Sequence, residues 1–181
     1  SQTITPQLNV NDIEPLIDYI ADHGTELGLG IIDKMSNMPL IRLFLEPPLK
    51  NFAEPADGNP FLLIKQRQEY QSKLEKYNRA MDSYRIQTEA EVNSFREEAK
   101  LLLAQSPDAS QTNIYDAISR SNLFFSEDGA SQASVKNYLV IVSDCQHNAK
   151  GVSSVSLKSG VKLILINGSA SVVSLAYLQP K

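Results

Sequence analysis

A single cysteine, Cys145, is all the thiol chemistry this chain has, so an internal disulfide framework and a multi-cysteine zinc site are both excluded. A lone thiol suits a reducing compartment and a disulfide-free exported protein equally well. No uninterrupted apolar run approaches the roughly 20 residues that a membrane-spanning helix needs. Residues Ser1 to Val10 show no secretory pattern, which leaves localisation between cytoplasmic and exported. Basic residues are not in excess either: 17 Lys and Arg stand against 21 Asp and Glu, for a net charge of -4. Phosphate neutralisation needs a concentrated basic face, so this balance argues against a nucleic-acid binder. Neither a Gly-x-Ser-x-Gly nucleophile elbow nor a phosphate-cradling glycine loop occurs.

What is present is enough apolar material for one real core: 181 residues, 42% of them hydrophobic, in the usual size range of a single domain. The reading is one domain over residues 1–181. Its charge is uneven. From Gly129 onward the only acid is Asp144, against Lys136, Lys150, Lys158, Lys162 and Lys181, so this third carries +4 and the remainder -8. Solvated lysines around a sheet edge explain that excess more simply than an anion-binding face.

After a polar lead, Asn11 caps a predicted helix with Ile13, Leu16, Ile17 and Ile20 on one stripe, ended by the glycine of His23-Gly24. Two apolar runs of strand length follow, Glu26 to Asp33 and Pro39 to Glu46, separated only by Lys34 to Met38. So short a connection makes them antiparallel neighbours. Both faces of the second run are largely apolar, which predicts a sheet covered on both sides. Gly28 and Gly30, inside the first run, fit close packing better than nucleotide binding.

Residues 47–60 hold Pro47, Pro48, Pro55, Gly58 and Pro60 and read as a loop and hinge. From Phe61 to about Gln105 neither proline nor glycine occurs. Leu63, Tyr70, Leu74, Tyr77, Met81, Tyr84 and Thr88 recur at three-and-four spacing, and the stripe resumes at Val92, Phe95, Ala99 and Leu102 after a stutter. Residues 60–106 therefore read as a long helical or coiled-coil insertion, either one helix or a hairpin folded back at the stutter. At ~1.5 Å per residue an unbroken helix of this length outreaches a domain of this size. It is expected to project and to meet a protein partner or a second copy through Tyr70, Leu74, Tyr77, Met81 and Tyr84.

Thr112 is placed to cap a further helix from Asn113, with Asp116 in its first turn. Asn137 to Asp144 has the β-branched, uniformly apolar look of a central parallel strand, and Val161 to Asn167 repeats it. Gln146 to Gly160 is long enough for a short crossover helix, and Ser171 to Leu178 reads as an edge strand. Strand, crossover and strand at this spacing predict an α/β fold with an open, doubly wound, mainly parallel sheet flanked by helices.

The run from Thr112 to Ile118, then Tyr138-Leu-Val-Ile-Val-Ser-Asp144, then Gly160 to Gly168, resembles the second half of a von Willebrand factor type A domain. The resemblance implies a three-layer fold and a metal-ion-dependent adhesion site. In this chain that site would draw on Asp33, Ser36, Thr112 and Asp144, holding magnesium or calcium through oxygen ligands. The family pattern of Asp-x-Ser-x-Ser is not met: Asp33 is followed by Lys34, Met35, Ser36, Asn37 and Met38. The site accordingly reads as degenerate. A capping carboxylate at a strand-to-loop turn accounts for Asp144 equally well, and a helix cap accounts for Thr112 better.

A different class of function rests on Cys145 with a histidine, as a small hydrolase. Cys145 and His147 are too close in sequence to make nucleophile-and-base geometry easy, and His23 is the only other imidazole. A buried, inert thiol is the simpler reading. The sequence thus leans to a non-catalytic binding or assembly module, with the long helix and the carboxyl edge of the sheet as contact surfaces.

Overall fold

A computed structural model describes residues 8–34, 36–50, 63–105, 112–126, 136–143 and 155–166. Asp144, Cys145, His147, most of the expected crossover and the expected edge strand at 171–178 lie outside them. The chain divides into two compact units. One comprises Ser1–Asp12, Gly28–Arg42 and Glu98–Lys181, and the other Ile13–Leu27 and Leu43–Glu97.

Helix α1 spans Val10–His23. Its cap is Asn9 and not the expected Asn11: the Asn9 carbonyl and side chain accept from the Asp12 and Asn11 N–H groups, and the Asp12 carboxylate accepts from the Asn9 N–H at 2.8 Å. This reciprocal arrangement satisfies donors that the first turn would otherwise leave bare. In the second unit α1 buries Ile13, Ile17 and Ile20, whereas Leu16, expected on the same stripe, is exposed. Leu43, Leu45, Val92 and Phe95 are buried in this unit too. Glu14 of α1 accepts from Nε of Arg96 at 2.8 Å, and Tyr84 donates its hydroxyl proton to the Glu46 carbonyl at 2.9 Å. At the end of α1, Gly24 takes φ +63, and a Cβ there would stand 2.3 Å from the Pro47 Cα. Only glycine fits both the conformation and the space.

Strands β1, Glu26–Leu29, and β2, Ile41–Phe44, pair with each other. They run antiparallel, since Thr25 meets Leu45 while Gly28 meets Leu40. β1 is shorter than the apolar run suggested, ending at Leu29, so Asp33 lies in a bend beyond the strand. Helix α2 then runs unbroken through Leu63–Leu103, 41 residues, and the stutter between Thr88 and Val92 makes no turn. A helix of that length is ~60 Å long. From Tyr70 to Thr88 its less exposed positions are Tyr70, Leu74, Tyr77, Met81, Tyr84 and Thr88, and Val92, Phe95 and Ala99 are buried.

In the first unit, helix α3, Ile114–Phe124, carries the core. Ile114, Ile118 and Phe125 are buried with Ile141, Leu157 and Val161, and Ile32, Leu139, Val155, Leu163 and Leu165 pack around them. Strands β3, Asn137–Val142, and β4, Val161–Ile166, pair in parallel, with Tyr138 opposite Lys162, Val140 opposite Ile164 and Val142 opposite Ile166. The return to β4 is pinned on α3. Asn122 donates to the Ser156 carbonyl and accepts from the Lys158 N–H, both at 2.8 Å, and residues 155–158 form neither helix nor strand. Among the described residues the strands make two two-stranded sheets, β1 with β2 and β3 with β4.

Candidate functional site

The turn that follows β1 sits against the amino end of α3. Asp33 offers its carbonyl to the Asn113 N–H at 3.1 Å. Ser36, with no exposed surface, donates to the same carbonyl at 2.7 Å and accepts from the Asp33 N–H at 2.9 Å. Asn113, rather than Thr112, is the cap of α3: its Oδ1 accepts from the Asp116 N–H at 3.1 Å, and its Nδ2 donates to the Asp116 carboxylate at 2.6 Å. Thr112 stands one residue ahead of the cap and is half-buried.

About two turns of α3 beyond the cap, Arg120 spreads its guanidinium beneath this loop. It donates to the Met38 carbonyl at 2.9 Å and the Ile31 carbonyl at 3.1 Å, while its buried Nε has no hydrogen-bond partner among the described residues. Burial pushes its pKa below the ordinary arginine value, and the Asp33 carboxylate pulls the other way. A Cβ on Gly30 would lie 2.7 Å from an Arg120 nitrogen, so the glycine makes room for the fork. Gly28 is similarly close to Leu40 and Phe124, consistent with packing as the reason for both glycines.

Of the four residues expected to hold a metal, the structure thus gathers Asp33, Ser36 and Thr112, and Asp144 lies outside the described residues. Ser36 does not fit an open ligand position, because its proton is given to a carbonyl and no face of it reaches solvent. The Asp33 carboxylate already has a guanidinium for its neighbour. Among the described residues no group of three or more His, Cys, Asp or Glu side chains stands together as a metal-binding set. His23 is exposed, stacked on Tyr19 at 4.2 Å, with Nδ1 3.0 Å from the Tyr19 carbonyl.

The second feature is the sheet face turned away from α3. Alternation along β3 and β4 sends Leu139, Ile141, Val161, Leu163 and Leu165 to the core. The alternate positions remain in solvent: Tyr138 is 48% exposed, Val140 43%, Ile164 44% and Ile166 44%. Lys162 is the charged member of this face, its Nζ 5.8 Å from the Tyr138 ring centre. Sequence reasoning read both strands as apolar on both sides but assigned both sides to the interior. Arg120 was missed as well, and its only sequence signal is its place on the helix that faces the Gly28 and Gly30 run.

No helix among the described residues is long and apolar enough to cross a membrane. Comparison with protein-family models, curated proteins and solved structures gives no match to this chain.

Proposed function

We propose that this chain is a non-catalytic protein-binding or assembly module, consistent with the von Willebrand A-like reading of its sequence. One observation carries the proposal: the outward face of the β3–β4 pair is apolar and open. Parallel strands are ordinarily covered on both sides, and a contiguous apolar face left in water marks an interaction site. Tyr138, Val140, Ile164 and Ile166 form such a face, each more than two-fifths exposed, beside a second face that is packed in the ordinary way.

Hydroxyl-radical footprinting of the intact protein tests this, because tyrosine rings oxidise in proportion to their exposure. Tyr138 should react at a rate near that of Tyr19, which is 56% exposed. Protection of Tyr138 to the level of Tyr115, 6% exposed, would show that the chain covers the face itself and would remove the proposal.

Assembly through α2 is a second arm of the same reading, supported by the partial exposure of Tyr70, Leu74, Tyr77, Met81 and Thr88 at coiled-coil spacing. The Tyr84 hydroxyl donates to the Glu46 carbonyl within the chain, and a second copy would pack along the apolar Leu74 and Met81 positions. Sedimentation of the intact protein beside a Leu74→Asp, Met81→Asp variant decides it. A monomer in both cases, with unchanged helicity, overturns this arm and leaves the sheet face untouched.

A further inference from the structure

The open face is defined by where the chain itself packs. Val155 and Leu157, on the return from β3 to β4, lie with α3 on the inner face, and Asn122 and Lys158 fasten that return to the same helix. Both the helix and the described part of the connection are thus spent on one side. A parallel pair of this kind has helices as its usual second cover, because side chains at i, i+3, i+4 and i+7 of a helix match the ridges of a two-strand strip. An apolar strip two strands wide, with Val140 opposite Ile164 and Val142 opposite Ile166, suits one such helix.

Charge narrows the choice of helix. Lys162 sits on the face itself and Lys136 is exposed at the entry to β3, so the amino end of the strip is basic. Lys158 is occupied, donating to the Phe125 carbonyl at 2.5 Å. Apolar contact along the strip with cations at one end calls for an amphipathic helix whose apolar stripe is flanked by carboxylates near one terminus.

We infer that the outward face of β3 and β4 docks an acidic amphipathic helix from a partner protein, seated over Tyr138, Val140, Ile164 and Ile166, which no described element of the chain covers. This rests on the reading of that face as a binding surface, and it adds the class of partner. The apolar stripe of the helix seats on the strip, and its carboxylates pair with Lys162 and Lys136.

The test uses the full-length chain and two labelled synthetic helices, followed by fluorescence anisotropy. One has leucines at i, i+3, i+4 and i+7 with glutamates at the flanks, and the other has lysine in place of every glutamate. The glutamate helix should bind about tenfold more tightly than the lysine helix, lose that advantage as salt is raised past ~0.5 M, and protect Tyr138 from radical oxidation. Lys162→Glu with Lys136→Glu should reverse the preference, and Val140→Asp with Ile164→Asp should abolish binding while melting stays cooperative. If that pair fails to fold, Val140→Thr with Ile164→Thr should still weaken binding several-fold. Equal binding of the two helices, no binding of either, or binding indifferent to the strip variants overturns the acidic-helix assignment. So does protection of Tyr138 by concentration-dependent pairing of the chain alone, or by vesicles containing phosphatidylserine. Tyr138 protected in the dilute, unaccompanied protein is a separate result, and it sinks the binding-surface reading itself.

Discussion

Replacing Ser36 with alanine isolates what the turn after β1 is for. The hydroxyl of the fully buried Ser36 holds both backbone groups of the half-buried Asp33, accepting at 2.9 Å and donating at 2.7 Å. Alanine removes both bonds at once. The Asp33 carbonyl keeps the Asn113 N–H at 3.1 Å, so the loss falls mainly on the N–H that Ser36 accepted. A net hydrogen bond is worth about 1 kcal/mol, and withdrawing an acceptor from a buried donor lies in the range of about 1–3 kcal/mol. About 2 kcal/mol is therefore expected for Ser36→Ala, equivalent to a fall in Tm of ~4–8 °C for a chain of this size. Urea denaturation should show a lower midpoint with an unchanged slope, since the exposed area on unfolding is the same. The loss should be identical in EDTA and in millimolar magnesium, because the bonds are to backbone. A variant as stable as the parent in EDTA but weaker than it in magnesium would refute this reasoning and return Ser36 to the role of a metal ligand.

Gly24→Ala combines a left-handed φ of +63 with a Cβ 2.3 Å from the Pro47 Cα, so it should cost more than about 2 kcal/mol by chemical denaturation; a neutral outcome would mean that the α1-to-β1 turn is not held as described. Arg120→Lys keeps the charge but loses the fork to the Met38 and Ile31 carbonyls, and a fall in stability of about 1–2 kcal/mol is expected, read by the urea midpoint. Titration with magnesium or calcium to millimolar levels should leave Tm within a degree or so, whereas a rise of several degrees would establish a working cation site at Asp33 and Thr112.

The elements that could be read from the sequence are those fixed by local chemistry. α2 runs where proline and glycine are absent, and its ends, Leu63 and Leu103, fall close to those of the periodic stripe. The β-branched runs that became β3 and β4 carry their own signal as well. The caps moved by one or two residues, to Asn9 and Asn113, because polar side chains crowd both starts and only the fold decides which one meets the Asp at N3. β1 stops at Leu29, and Gly30 just beyond it gives its space to Arg120, a contact 90 residues away in sequence that no local pattern announces. The open face is the same kind of case. Apolar residues on both sides of β3 and β4 were visible in the sequence, but which side the returning chain would cover depends on Val155, Leu157 and Asn122 meeting α3.

The claim that one side of this sheet is core and the other is a surface kept for a partner is tested most directly by two substitutions on one strand. Val161→Thr places a hydroxyl in the inner face, where the residue is 3% exposed, and Ile164→Thr makes a comparable change on the outer face, 44% exposed. Measured by urea denaturation of the unaccompanied chain, the first should cost about 1–3 kcal/mol for a buried, uncompensated hydroxyl, and the second no more than about 0.5 kcal/mol. Equal losses at the two positions would contradict the claim, for they would mean that both faces are already buried within the chain.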